Sequence, residues 1–228
     1  MLTMVLLFNQ IQFLIAEGFV KITYMKNKNN YTKEDFLKFW GNDGYIETWD
    51  GHQYNWSKEI KDLVLNQLGN SKDKNVLEIG CGAGYWTKFL CENSKNVSAI
   101  DLIPNAPFEL DNFTYIENKD MQFDCKSLQD ESIDFAFSFG VFCHLSSSAC
   151  ESYLKDVFRV LKKGGTAIFM YSDDKGLQDF YKDESFSASR IYGEYNNYSD
   201  IMPMIKKYDS ECKRILDFRD LLVLITKK

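Results

Sequence analysis

The chain has 228 residues, 45% of them hydrophobic and 26% charged, with a formal net charge of -6 and a pI near 5.1. That length supports one domain with a sizeable core, and the acidic balance weighs against a nucleic-acid substrate, which leaves a basic footprint. Six cysteines, none in a Cys-x-x-Cys pair, and two histidines, His52 and His144, form no zinc-ligand spacing, so free thiols in the cytoplasm and no metal are expected.

Residues 1–24 are mostly apolar from Met4 to Val20, but Asn9, Gln10, Gln12 and Glu17 interrupt the run. It is short of a clean membrane span, and no Lys or Arg precedes it as in a signal peptide. Met25-Lys26-Asn27-Lys28 reads as a natural start. Residues 1–30 are therefore expected to be an N-terminal extension, upstream of the native start or loosely packed, with a weak membrane anchor as the alternative. An intact mass of the native protein that includes residues 1–24 would refute the first expectation. Residues 31–228 read as a single domain.

Thr32 is placed to cap a helix carrying Phe36, Leu37, Phe39 and Trp40. Gly41 to Trp56 follows as a loop rich in glycine and aromatics. Ser57 then caps a second helix with Ile60, Leu63, Val64 and Leu68 on one face and Gly69 as its stop.

Val76 to Ile79 is a short apolar run of the kind buried in parallel sheets. It runs into Gly80-Cys81-Gly82-Ala83-Gly84, and Trp86, Phe89 and Leu90 follow at helical spacing. A strand that passes through glycines into a helix leaves free backbone N–H groups at a helix N-terminus. Glycines there let a ligand approach the backbone, because no Cβ intervenes. Glu78 is suited to a cationic group on that ligand. Tyr85 stands where the third glycine of the dinucleotide fingerprint would fall. Val97 to Asp101 reads as the second strand. Its terminal acid lies about 20 residues beyond the glycine turn, a spacing that suits ribose hydroxyls.

Phe113 to Ile116 reads as the third strand, followed by Asp120 and Met121. Ile133 to Ser138 reads as the fourth, leaving through Phe139 towards His144. Ser148-Ala149-Cys150-Glu151 has the form of a capping box, and Leu154, Val157, Phe158 and Leu161 trace an amphipathic helix. The fifth strand is expected at Thr166–Met170. Tyr171-Ser172-Asp173-Asp174 leaves it on the face where open α/β sheets bind ligands. About 40 polar and aromatic residues follow, a length usually reserved for function. Ser199 is expected to cap a short helix with Pro203 in its first turns. Cys212–Phe218 and Leu221–Thr226 read as an antiparallel hairpin joined by Arg219-Asp220.

Glu78-x-Gly80-x-Gly82-x-Gly84, the spaced Asp101 and Arg159-Val160-Leu161-Lys162-Lys163-Gly164-Gly165 together resemble class I S-adenosylmethionine-dependent methyltransferases, over roughly residues 57–228. The resemblance implies a Rossmann-like α/β fold: a seven-stranded, mostly parallel sheet with an antiparallel last strand and helices on both faces. It implies S-adenosyl-L-methionine as cofactor. Glu78 would face the methionine ammonium, and Gly80, Cys81, Gly82 and Gly84 would form the turn around it, with the Cys81 side chain only packing. Asp101 would take the ribose hydroxyls. Asp120 would meet the adenine amino group and Met121 would cover the ring, although solvation of a loop accounts for Asp120 nearly as well. Phe139 would pass beside the methionine end.

By the same resemblance, residues 31–56 form a lid, where Tyr45, Trp49, His52, Tyr54 and Trp56 either face the cofactor or only cover the sheet edge. Residues 171–198 form a substrate-loop insertion. Methyl transfer needs alignment and, for a hydroxyl acceptor, a general base. His144 is the first candidate, with Tyr171 and Asp173 behind it. Ser138-Phe139-Gly140-Val141 is not the Asn/Asp-Pro-Pro-aromatic motif of nucleobase and amide methylation. With the acidic balance and the long aromatic loop, this favours a small-molecule acceptor, and O-methylation of a small polar metabolite or saccharide-linked group is the expected activity. Small-molecule N-methylation and a non-catalytic cofactor-binding subunit are the alternatives. A monomer or homodimer without stable membrane insertion is expected.

Overall fold

The computed structural model describes residues 57–102, 109–172, 198–217 and 220–228, together with Glu34 and Gln178. The presumed lid, apart from Glu34, and most of the 171–198 insertion lie outside the described residues, and so do Trp56 and Asp173.

Helix α1 (Ser57–Leu68) buries Ile60, Val64 and Leu68, which recur every four residues on one face. Gly69 closes it at φ +73, donating its N–H to Leu65 at 2.8 Å, a backbone conformation that glycine adopts without a Cβ penalty. Strand β1 (Asn75–Ile79) leads through the glycine turn into α2 (Tyr85–Asn93), and β2 (Asn96–Asp101) and β3 (Phe113–Glu117) follow. Beyond β4 (Ile133–Ser138) a 3₁₀ turn, Phe142–His144, precedes α3 (Ser147–Val160). Then come β5 (Leu161–Ser172), α4 (Tyr198–Ile205), β6 (Ser210–Asp217) and β7 (Asp220–Lys227).

The seven strands form one sheet in the order β3-β2-β1-β4-β5-β7-β6. β1 to β5 pair in parallel, and β7 runs antiparallel to both β5 and β6. The central strands are buried on both faces, as parallel sheets require. Leu77, Ile79, Ala136 and Phe169 belong to the core shared with α3 and α4; Val76, Phe135, Phe137 and Ile168 belong to the core under α1.

Several element boundaries differ from the sequence reading. The cap of α3 is Ser146, whose Oγ accepts the Ala149 N–H at 3.3 Å, while the Ser148 hydroxyl pairs with Ser146. β5 begins at Leu161 because Leu161 already pairs with Ile133; the register slips before Phe135 meets Thr166. Gly164 at φ +75 and Gly165, where a Cβ would lie 2.8 Å from the Lys162 carbonyl, make room for that irregularity. Ser199 lies inside α4, which starts at Tyr198. Asp220 belongs to β7, since it pairs with Ser172.

β1 and β4 are neighbours, yet the chain leaves β1 towards β2 on one side and β4 towards β5 on the other. Such a reversal opens a crevice at the carboxyl ends of the two strands, where open α/β sheets take ligands. Among the described residues no helix is long and apolar enough to cross a membrane, and no cluster of His, Cys, Asp or Glu is arranged to hold a metal. None of the six cysteines forms a disulfide.

Candidate functional site

The crevice between β1 and β4 is walled by the glycine turn on one side and by the exit from β4 on the other. Gly80 sits at φ +78 and donates its N–H to Ile100 at 2.8 Å, tying the turn to β2. A Cβ on Gly80 would fall 2.1 Å from Cγ2 of Val141, so the turn and the β4 exit touch over a missing side chain. Gly82, at φ +47, has nothing within 4 Å of where its Cβ would be. That open backbone is a cradle a ligand can approach. Gly84, at φ 84, caps α2, and its N–H reaches the Cys81 carbonyl at 2.8 Å. The Cys81 side chain is buried, and burial pushes its thiol up, with the charges of Asp101 and Glu78 adding to the shift.

Asp101 ends β2 directly beside this turn. Its carboxylate accepts the Gly82 N–H at 2.8 Å and the Leu102 N–H at 2.6 Å. The spacing read from the sequence thus becomes a contact. Glu78 is 1% exposed, and its carboxylate accepts the Thr87 hydroxyl of α2 at 2.6 Å. Burial raises its pKa to about 8; the Thr87 hydrogen bond opposes the shift and the Asp101 charge adds to it. A cation delivered to this carboxylate would restore its charged form. Ser138, wholly buried, donates its hydroxyl to the Ile79 carbonyl at 2.9 Å and so fastens the ends of β4 and β1 together.

After β3 the polar anchor is Asn118, which the sequence reading passed over. It is 8% exposed, accepts the Gln122 N–H at 3.0 Å and donates to the Tyr153 hydroxyl of α3 at 3.1 Å. Its own N–H reaches the Asp101 carbonyl at 2.7 Å. Asp120 is exposed. Met121 and Phe123 adopt φ of 49 and 50, a left-handed conformation uncommon outside glycine. An asparagine ending a strand was the available signal.

Past β4, His144 ends the 3₁₀ turn. It is half-buried, and its N–H meets the Val141 carbonyl at 2.8 Å. Tyr171 corrects the sequence reading. Its side chain is 0% exposed, edge-on to Phe142 at 5.4 Å, within the core beneath α3 and α4. Among the described residues its hydroxyl has no hydrogen-bond partner. Period-two alternation explains the error: at this register the side chain points into a covered face.

Trp86, in the first turn of α2, leans on Phe139 at 5.4 Å and on Phe137 at 5.1 Å between ring centroids. Phe137 and Phe139 stack at 10°. Tyr85 meets Trp86 edge-on, and the Lys61 ammonium of α1 lies 4.8 Å above the Tyr85 ring and 5.2 Å above that of Phe89.

The family profile described as "Methyltransferase domain" matches residues 51–217. A phosphoethanolamine N-methyltransferase of Triticum aestivum is 30% identical over 129 residues, which are 54% of this chain and 26% of that protein. A tRNA N(3)-methylcytidine methyltransferase of Schizosaccharomyces pombe is 25% identical over 162 residues, 65% of this chain and 51% of its own. The chain thus spans about a quarter to a half of the length of these relatives. Among solved structures, the N-methyltransferase NodS from Bradyrhizobium japonicum, in complex with S-adenosylhomocysteine, superposes with a TM-score of 0.60 at 17% identity. The match covers 85% of this chain and 97% of that one.

Proposed function

The chain belongs to the methyltransferase domain family, and on that premise we propose that it transfers a methyl group from S-adenosylmethionine to a small polar molecule in the cytoplasm. One observation carries the reading: Asp101, the open Gly82 backbone and the buried carboxylate of Glu78 meet at the carboxyl ends of β1 and β2. That set suits the cofactor's ribose hydroxyls, its chain and its ammonium in turn. When bound, the cofactor supplies a sulfonium whose methyl is the electrophile. The protein's task is then alignment across the β1–β4 crevice, and Ser138 holds the two strand ends at fixed separation.

We assign nitrogen of a small amine as the acceptor atom. Support comes from the N-methyltransferases among the relatives and structural neighbours and from the aromatic side chains beside the crevice. The amine sheds a proton, its lone pair forms the new C–N bond, and the electrons of the broken C–S bond stay on sulfur. A hydroxyl acceptor is the second reading. His144, at the β4 exit, favours it as a base for the departing proton.

Incubation with methyl-labelled S-adenosylmethionine and panels of small amines, small hydroxyl compounds and RNA tests these readings. Label in an amine product is the expected outcome. Label in a hydroxyl product selects the second reading, and label in RNA overturns the small-molecule class. Binding of S-adenosylhomocysteine without any incorporation marks a non-catalytic cofactor-binding subunit.

A further inference from the structure

We propose that Trp86 and Phe139 form the wall that recognises the acceptor's positive charge, and that the acceptor enters as an organic cation of the alkylammonium class. The inference deepens the amine reading and rests on it.

The argument is one of placement. Trp86 lies one residue into the helix that follows the glycine turn, and Phe139 lies one residue past β4. Both positions therefore lie at the carboxyl ends of β1 and β4, and their rings, 5.4 Å apart, sit at the partly exposed margin of the core under α1. Both are half-buried, although each is a large hydrophobe beside strand ends otherwise lined by wholly buried Phe137, Ser138 and Ile79. Their orientation is fixed from behind: Phe137 stacks on Phe139 and packs against Trp86 at 5.1 Å. Rings held in this way need little further ordering when a ligand arrives.

The same aromatic cluster already holds a cation. The Lys61 ammonium sits over Tyr85 and Phe89, within the range where ring quadrupoles attract positive charge. A carboxylate would also attract an ammonium, but it would hold the proton on nitrogen that must leave before methyl transfer. Ring faces attract the charge without accepting a proton hydrogen bond of that strength. They serve the charged substrate and the charged product alike, since methylation of an amine returns an ammonium.

The test uses the full chain loaded with S-adenosylhomocysteine and two probes of one shape: choline, which is charged, and 3,3-dimethyl-1-butanol, which is its neutral counterpart. Calorimetric titration is expected to give choline an affinity roughly 2- to 30-fold higher than the neutral probe. Trp86→Leu and Phe139→Leu should each shrink that ratio towards one, read in protein that still binds S-adenosylhomocysteine. The wild-type ratio stands as a test even where a variant fails to fold. Equal affinities, or no choline binding by protein that does bind S-adenosylhomocysteine, would overturn the proposal and leave the methyltransferase reading intact. Variants that lose S-adenosylmethionine affinity but keep that for S-adenosylhomocysteine would also overturn it, because the rings would then face the sulfonium. Choline binding by protein that ignores S-adenosylhomocysteine would support the cation wall and overturn the cofactor reading instead.

Discussion

The amide of Gly82 donates to the carboxylate of Asp101 across 2.8 Å, so the turn after β1 and the end of β2 form one unit. The second oxygen of that carboxylate holds the Leu102 N–H at 2.6 Å. Asp101→Ala removes an ionised acceptor from both amides, and hydrogen bonds to a charged group are the stronger kind. Calorimetry should find S-adenosylhomocysteine binding weakened roughly 10- to 100-fold. Unchanged affinity would separate Asp101 from the cofactor.

Glu78 gives the protein a pH dependence of defined sign. Folded, it keeps its proton up to about 8; unfolded, it releases it near 4.5. Between those values folding takes up a proton, so this group's contribution to stability falls as pH rises through the window. Melting temperatures followed from about pH 5 to pH 8 should carry this downward component. Glu78→Gln, which retains an acceptor for the Thr87 hydroxyl, should remove it and leave the variant the more stable at the alkaline end. Binding of an ammonium-bearing ligand near pH 7 should also release a proton from wild type, detected as a dependence of the calorimetric heat on buffer ionisation.

Gly80 is the position where the turn and the β4 exit share space. Gly80→Ala forces a Cβ to within 2.1 Å of Val141 and strains a φ of +78. The combined cost is about 2–5 kcal/mol by denaturant unfolding. Val141→Ala in the same chain should recover the overlap but not the backbone strain, giving a coupling of about 1–3 kcal/mol in the double-mutant cycle. Strict additivity would show that the contact is not where the cost arises.

The Tyr171 hydroxyl is buried without a described partner, an arrangement that costs about 1–3 kcal/mol. Tyr171→Phe should therefore raise stability, with a melting temperature higher by about 2–4 °C per kcal/mol recovered. Methyl transfer should be unaffected. A loss of turnover would return Tyr171 to the reaction.

Asn118 and Asp120 part company in the same experiment. Asn118→Ala breaks hydrogen bonds to Gln122 and Tyr153 in a buried setting and should cost about 1–3 kcal/mol while weakening S-adenosylhomocysteine several-fold. Asp120→Ala, at an exposed position, should leave the melting temperature unchanged. Weakened binding in the Asp120 variant alone would restore its assignment to the adenine.

The sequence by itself determined the order of strands and helices, because apolar runs such as Val76–Ile79 and periodic faces such as Ile60, Val64 and Leu68 record burial directly. It also determined the family, since glycines at 80, 82 and 84 and an acid at 101 keep a spacing that chemistry demands. Only the tertiary structure decided which neighbours those residues acquired. Ser146 rather than Ser148 caps α3 because caps depend on backbone angles, which serines in a row do not distinguish. Tyr171 turned inward because one register step selects a sheet face. Asn118 went unread because its partners lie on α3 and β2, distant in the chain and adjacent in space. Trp86 and Phe139 are separated by more than forty residues, and nothing local in either segment announces that the switch in strand order brings their rings together.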